Sequence, residues 1–203
     1  RLDGDALPRA TFTLTEEYQL SAGTEWRPGW HMIGNPFPFT VGWGNVLVEY
    51  AGEKQTVPVA AQRGWVRPTL YWYGPGGYEW AVAPQGGLEP LRGYWMRTIV
   101  PCRVHVPPIG GGTGVAGVPA VRGADSGWLV RLAVSGAGMT DRANLFGVAE
   151  KAVAGLDAAD VEKPPSLGLA GGFRLSGVAA DLAQDVRAAG SRGVWEFVVR
   201  DAP

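Results

Sequence analysis

The sequence predicts an all-β protein built as two small sandwich- or barrel-like domains joined by a Gly/Pro-rich linker. Three observations carry that expectation. Turn formers are dense, with 31 Gly and 16 Pro in 203 residues, which favours many tight bends over long helices. Short strand-like segments, one of them cleanly alternating, recur at the spacing of a sandwich or barrel. Composition also shifts midway: seven of the nine Trp and all six Tyr precede residue 107, while Ala and Asp thicken beyond 119.

Residues 1–9 are polar and broken by Gly and Pro, and read as a tail. Thr11, Phe12, Thr13, Leu14 and Thr15 then alternate, with Phe12 and Leu14 on one face, the pattern of a half-buried strand. Trp30–Ile33 is a second strand, stopped by Gly34-Asn35-Pro36, because a proline cannot donate to a central ladder. Val46–Tyr50 and Thr56–Ala60 read as strands around an Ala51–Lys54 hairpin turn. Thr69–Tyr73 and Tyr78–Val82 flank Gly74-Pro75-Gly76-Gly77, a clearer turn. Gly93–Val100 and Arg103–Val106 complete a Trp/Tyr-rich domain over 10–106. The run 107–119, with five Gly and three Pro, is the linker, and 120–203 the second domain. There Trp128–Val134 is apolar enough for a buried strand. Further strands are expected at Ala143–Val148, Gly172–Leu175 and Val194–Arg200, with a helical turn over Asp157–Glu162. Val178–Ala188 is Ala-rich, which favours helix, yet the β context favours a strand around Asp185–Arg187.

A formal net charge of −1 lacks the basic face that nucleic acids or anionic membranes require. The apolar runs are too short to span a bilayer. Cys102 is the only cysteine, so no internal disulfide and no thiolate metal cage is available. The chain opens on Arg1 without an initiator Met and is expected to be a processed or excised piece of something longer.

Motifs for catalysis are weak. Gly112-Thr-Gly-Val-Ala-Gly117 matches a dinucleotide fingerprint in letters, but Pro107-Pro108 precede it and Pro119 follows. The required strand and helix N-terminus have no room. The two histidines, His31 and His105, fall within strands, and neither sits near a glycine elbow around a serine. Catalysis is therefore not expected. No cofactor is expected beyond calcium, for which Asp141, Asn144, Asp157 and Asp160 supply oxygens. The same residues also cap turns by bonding their own backbone, and that reading is favoured. Tyr71, Trp72 and Tyr73, with Tyr78 and Trp80 on the facing strand, put aromatics on both faces of a hairpin. At least one face is therefore expected to be exposed, as a binding surface, or covered by a partner. Sugar stacking, subunit contact and a Trp-rich core packed on the second domain all stand as explanations.

Gly29-Trp-His-Met-Ile-Gly-Asn-Pro-Phe-Pro38, followed by Trp43 and closed by Gly93-Tyr-Trp95, resembles a module of exported bacterial surface proteins. His31 stands where that module more often has Asn. Asp141-x-x-Asn144-x-x-Gly147, Gly155-x-Asp157-x-x-Asp160-x-x-Lys163-Pro-Pro165 and Asp185-x-Arg187 before Trp195-Glu-Phe197 are similar to a C-terminal β-sandwich that follows it in such proteins. The resemblance implies an extracellular or cell-surface, non-catalytic appendage and carries over no site residues. The functional expectation is a structural or adhesive module whose partner is protein, including copies of itself. Its sharper form is a filament subunit that exchanges the strand Thr11–Thr15. A polysaccharide-binding module is the alternative.

Overall fold

In the computed structural model, the described residues are 18–19, 26–74, 77–111, 127–136, 138–165, 168–190 and 193–200. The expected tail, the strand Thr11–Thr15 and linker positions 112–119 lie outside them. The chain is mostly β, 57% strand and 6% helix, in several sheets, one of them curled into a half-barrel.

The strands are β1 (Tyr18–Gln19), β2 (Gly29–Gly34), β3 (Val41–Gly42), β4 (Leu47–Tyr50), β5 (Glu53–Thr56), β6 (Thr69–Gly74), β7 (Gly77–Val82), β8 (Gly87–Leu88), β9 (Gly93–Thr98) and β10 (Arg103–Val106) in the first half. The second half has β11 (Gly127–Gly136), β12 (Met139–Ala149), β13 (Val161–Glu162), β14 (Ala170–Arg174), β15 (Leu182–Ala188) and β16 (Glu196–Arg200). The first half holds two four-stranded sheets, ordered β1-β10-β4-β5 and β2-β9-β6-β7, and the small pair β3-β8. In the second half the order is β11-β12-β15-β14-β16, with β13 also on β15. Among the described residues, every pairing between these strands is antiparallel except β12 with β15.

The two motif stretches are sheet neighbours. β2 pairs with β9 in unbroken register from Gly29↔Thr98 to Gly34↔Gly93. Beyond β2, Asn35 pins the proline corner. Its Nδ2 donates to the carbonyls of Phe39 (2.6 Å) and Leu88 (2.7 Å), and its Oδ1 accepts from the Phe37 amide (2.9 Å). That leaves Phe37 stacked on Phe39 at 5.3 Å. Trp43 is fully buried and donates its Nε1–H to the Pro68 carbonyl at 2.8 Å. Around it lies the first core, with Val41, Val46, Val48, Leu70, Leu88, Met96, Val104 and Cys102.

A hairpin forms at each of the two expected turns, the first with a different second strand. Ala51 (φ 51°) and Gly52 (φ 81°) close β4 on β5, two left-handed residues as a tight hairpin turn requires. Glu53 and Lys54, expected in the turn, already belong to β5. β6 and β7 pair down to Gly74↔Gly77, with Tyr71 opposite Trp80 and Tyr73 opposite Tyr78.

Three local expectations are corrected. Thr56–Ala60 is not a strand: β5 ends at Thr56 and a short helix, α1 (Val57–Gln62), follows. Pro58 has no N–H for a ladder, but in the first helical turn that group has no partner in any case. The alanines suit a helix, and Val57 and Ala60 face the core. Asp157–Glu162 is not helical either. The Asp157 carboxylate accepts the Ala159 amide at 2.6 Å and forms a turn, and Val161–Glu162 then joins β15. Finally, the apolar run Trp128–Val134 is not buried. Among the described residues β11 pairs only with β12, so Trp128 and Val130 remain 47% and 41% exposed while Leu129, Leu132 and Val134 turn inward. The expected linker starts as packed chain: Pro107 is buried and Gly111 bridges to Val41. Among the described residues, no helix is long and apolar enough to cross a membrane.

Candidate functional site

A concentration of polar and aromatic groups lies where β6, β7 and β9 meet β12, β13 and the segment after β13. Glu162 is delivered there by β13, whose register shift on β15 breaks the ladder between Val161 and Glu162. Its carboxylate is 6% exposed and takes two guanidinium groups from the first half, Arg67 Nη2 at 3.0 Å from Oε1 and Arg97 Nη1 on Oε2. Arg97 also lies over the Trp30 ring, 5.7 Å from its centroid. The Tyr71 hydroxyl donates to the Glu162 carbonyl, and the Tyr78 hydroxyl to the Pro165 carbonyl at 2.7 Å. Burial raises both phenols, Tyr71 well above the ordinary range and Tyr78 to about 12. Both stay protonated at any physiological pH and act as fixed donors.

Apolar packing closes the same seam. Tyr71, Tyr78 and Trp80 share one cluster with Ala143, Leu145, Val161 and Ala183, and Trp30, Val82 and Trp95 pack on its rim. The backbones come close as well: a Cβ on Gly77 (φ 100°) would fall on the Thr140 carbonyl oxygen and lie 3.2 Å from Asp141 Cα. A groove of about 620 Å³ opens beside the seam, between Trp30, Arg67, Tyr71 and Trp80 on one side and Asp157, Asp160, Glu162 and Gln184 on the other.

The expected aromatic surface is therefore corrected in place. Tyr71, Trp72, Tyr78 and Trp80 are buried, and only Tyr73, 50% exposed, offers its ring to solvent. The reason is the second half, which covers the face of the hairpin carrying Tyr71, Tyr78 and Trp80. Trp72 points the other way, into the first core, and donates its Nε1–H to Glu79 at 2.8 Å.

The calcium quartet splits into two sites with other work. Asp141 and Asn144, both on β12, surround the ammonium of Lys163. Nζ lies 2.6 Å from Asp141 Oδ2, 2.7 Å from Asn144 Oδ1 and 3.3 Å from the Ala143 carbonyl, and also donates to the Gly171 carbonyl. Asp141 further accepts the Gly171 amide (2.8 Å) and the Ala143 amide (3.0 Å). Burial acts to raise the Asp141 carboxyl, but the Lys163 ammonium and these amides outweigh it and hold it below the usual range. The oxygens that would hold a cation already hold one, covalently attached to the chain. Asp157 and Asp160 instead bind backbone: Asp157 takes the Val153 amide at 2.7 Å, and Asp160 takes those of Asp157 and Val186, both at 2.9 Å. Burial, with the nearby Asp157 and Asp185 carboxylates adding to it, pushes Asp160 up to about 6. No group of three or more His, Cys, Asp or Glu is placed to hold a metal among the described residues.

Comparisons with protein-family models, with curated proteins and with solved structures found no match for this chain. The likeness to surface-protein modules thus rests on the motifs themselves.

Both histidines are engaged by neighbours within the first half. His31 stacks on Trp26 at 4.4 Å, and its Nε2 lies 2.9 Å from the Arg27 carbonyl and 3.1 Å from Thr98 Oγ1. Burial lowers its pKa. His105 Nε2 meets Glu49 Oε2 at 2.9 Å across the β10–β4 pair. Glu162, Arg67 and Arg97 were not expected as a cluster. Their one sequence trace is that Glu162 directly precedes the Lys163-Pro-Pro165 motif.

Proposed function

We propose that the chain is a non-catalytic structural and adhesive module of an exported bacterial surface protein, its two β halves joined into one stiff unit that engages protein. The observation that carries this reading is the seam. Aromatics and charges that would otherwise offer a binding face are spent on joining the halves, through Glu162 with Arg67 and Arg97 and through the Tyr71 and Tyr78 hydroxyls. Relative motion of linked domains is the default unless their interface is substantial, and a spacer or filament element needs that motion suppressed.

Its sharper form is assembly by strand exchange. β11 has one edge without a strand partner among the described residues, and such an edge is a template for an added strand. The alternating segment Thr11–Thr15 of another copy is the proposed donor. Electron microscopy and size-exclusion chromatography test this directly. Polymers or oligomers are expected for the full chain, and monomers after deletion of residues 1–15. Assembly unchanged by that deletion rejects strand exchange.

The groove beside Trp30 keeps polysaccharide binding as a second reading, because an aromatic wall faced by carboxylates and an amide suits a sugar. A glycan array with Trp30→Ala and Tyr73→Ala variants separates the two. Retention lost in Trp30→Ala supports the sugar reading, and no retention by the parent chain removes it.

A further inference from the structure

The Lys163 site holds more than an ion pair. A primary amine, a carboxamide and a carboxylate meet inside a β domain, with Lys163, Asn144 and Asp141 all buried. Lys163 Nζ is 2.7 Å from Asn144 Oδ1, beside the carbonyl carbon that carries it, and 2.6 Å from Asp141 Oδ2. The Asn144 amide is itself oriented: Nδ2 donates to the Asp141 carbonyl at 3.3 Å and to the Leu132 carbonyl at 3.4 Å. Nucleophile, electrophile and proton acceptor are thus fixed together, the condition under which an intramolecular reaction gains most from proximity.

We infer that Lys163 and Asn144 join in an amide cross-link made by the protein on itself, with Asp141 as the proton carrier. The ammonium of Lys163 passes a proton along its hydrogen bond to Asp141 Oδ2, which exchanges two buried charges for a neutral pair. Burial favours the neutral amine, while Asp141 pulls the other way. The free amine attacks Asn144 Cγ, and a C–N bond forms as the carbonyl electrons move to Oδ1. Asp141 then protonates the Nδ2 group, the old C–N bond breaks as the carbonyl re-forms, and ammonia departs. The second proton of the Lys163 nitrogen passes back to the Asp141 carboxylate. One amine and one primary amide become one secondary amide and ammonia, so no oxidant or cofactor is needed.

The bond ties β12 to the segment that follows β13, a span of 19 residues. That segment begins next to Glu162, so the link secures the element that grips the first half. It does not depend on what the module binds.

Intact-mass measurement of the purified full chain is the test. A mass one ammonia below that of the sequence is expected, with a digest yielding a branched peptide that contains both Asn144 and Lys163. Asn144→Ala and Lys163→Arg should each restore the uncorrected mass. The full sequence mass in folded parent chain overturns the inference, whether or not the variants fold. So does a one-ammonia deficit in which the Asn144 and Lys163 peptides separate, since that reports a succinimide at Asn144. A branched peptide persisting in Asp141→Asn overturns the role given to Asp141.

Discussion

Replacing Glu162 by Ala removes the charge that both arginines of the first half grip. Stripping one partner from a fully buried pair costs about 3–5 kcal/mol, whereas an exposed pair is worth about 0.2–1 kcal/mol. Glu162 is buried, but Arg67 and Arg97 are partly open to water, so the released guanidinium groups recover hydration. The Tyr71 bond goes to the Glu162 carbonyl and survives the substitution. These considerations place the loss near 2 kcal/mol. With a urea m-value of about 2 kcal/mol/M, the midpoint should fall by about 1 M. Urea titration followed by Trp fluorescence reads this. Glu53→Ala is the comparator, because its partner Arg63 is exposed and Glu53 itself is 60% exposed. The comparator should lose about 0.5 kcal/mol or less. Equal midpoint shifts in the two variants would refute the reasoning, since the seam would then contribute no more than a surface contact.

Gly77→Ala should be far costlier than Gly52→Ala by the same titration. Both glycines have positive φ, but a Cβ at position 77 also strikes the Thr140 backbone across the seam, while one at position 52 meets open space. The turn variant should lose about 1 kcal/mol from backbone strain alone, and equal losses would remove the close approach from the account. Asp160 predicts a pH dependence. Its folded pKa, about 6, lies above the unfolded carboxylate value of about 3.9. The native state therefore binds more protons in that window, and stability should decline as pH rises from about 4 to about 6. Midpoints measured across the window should show that decline in the parent chain and lack its Asp160 component in Asp160→Asn; identical slopes would contradict it.

What the sequence made legible is what short range decides. Gly, Pro and aromatic spacing marked β2, β9 and the Asn35 corner, because the bonds of Asn35 to Phe37 and Phe39 span two and four residues. The β6–β7 hairpin followed from its glycines, and β15 from its setting among strands. Helix α1 escaped because Val57 and Val59 suit a strand as well as a helix, and one proline had to be weighed in a six-residue segment. For the aromatic hairpin the sequence left an exposed face and a core packed on the second half both open, and the structure has the packed core. Alternation says that residues point to opposite faces, but only the position of β12 and β13 says that both faces are covered. The charge cluster of the seam was illegible for the same cause: Glu162 lies 95 and 65 residues from its two arginines. Asp141 and Asn144 were singled out for their oxygens, which do hold a cation, but the cation is Lys163.

The central claim is that the two halves unfold as one body, and differential scanning calorimetry of the full chain tests it most directly. A single transition is predicted, with calorimetric and van't Hoff enthalpies in agreement and with Glu162→Ala lowering the whole peak. Two resolved transitions, one of them untouched by Glu162→Ala, would contradict it.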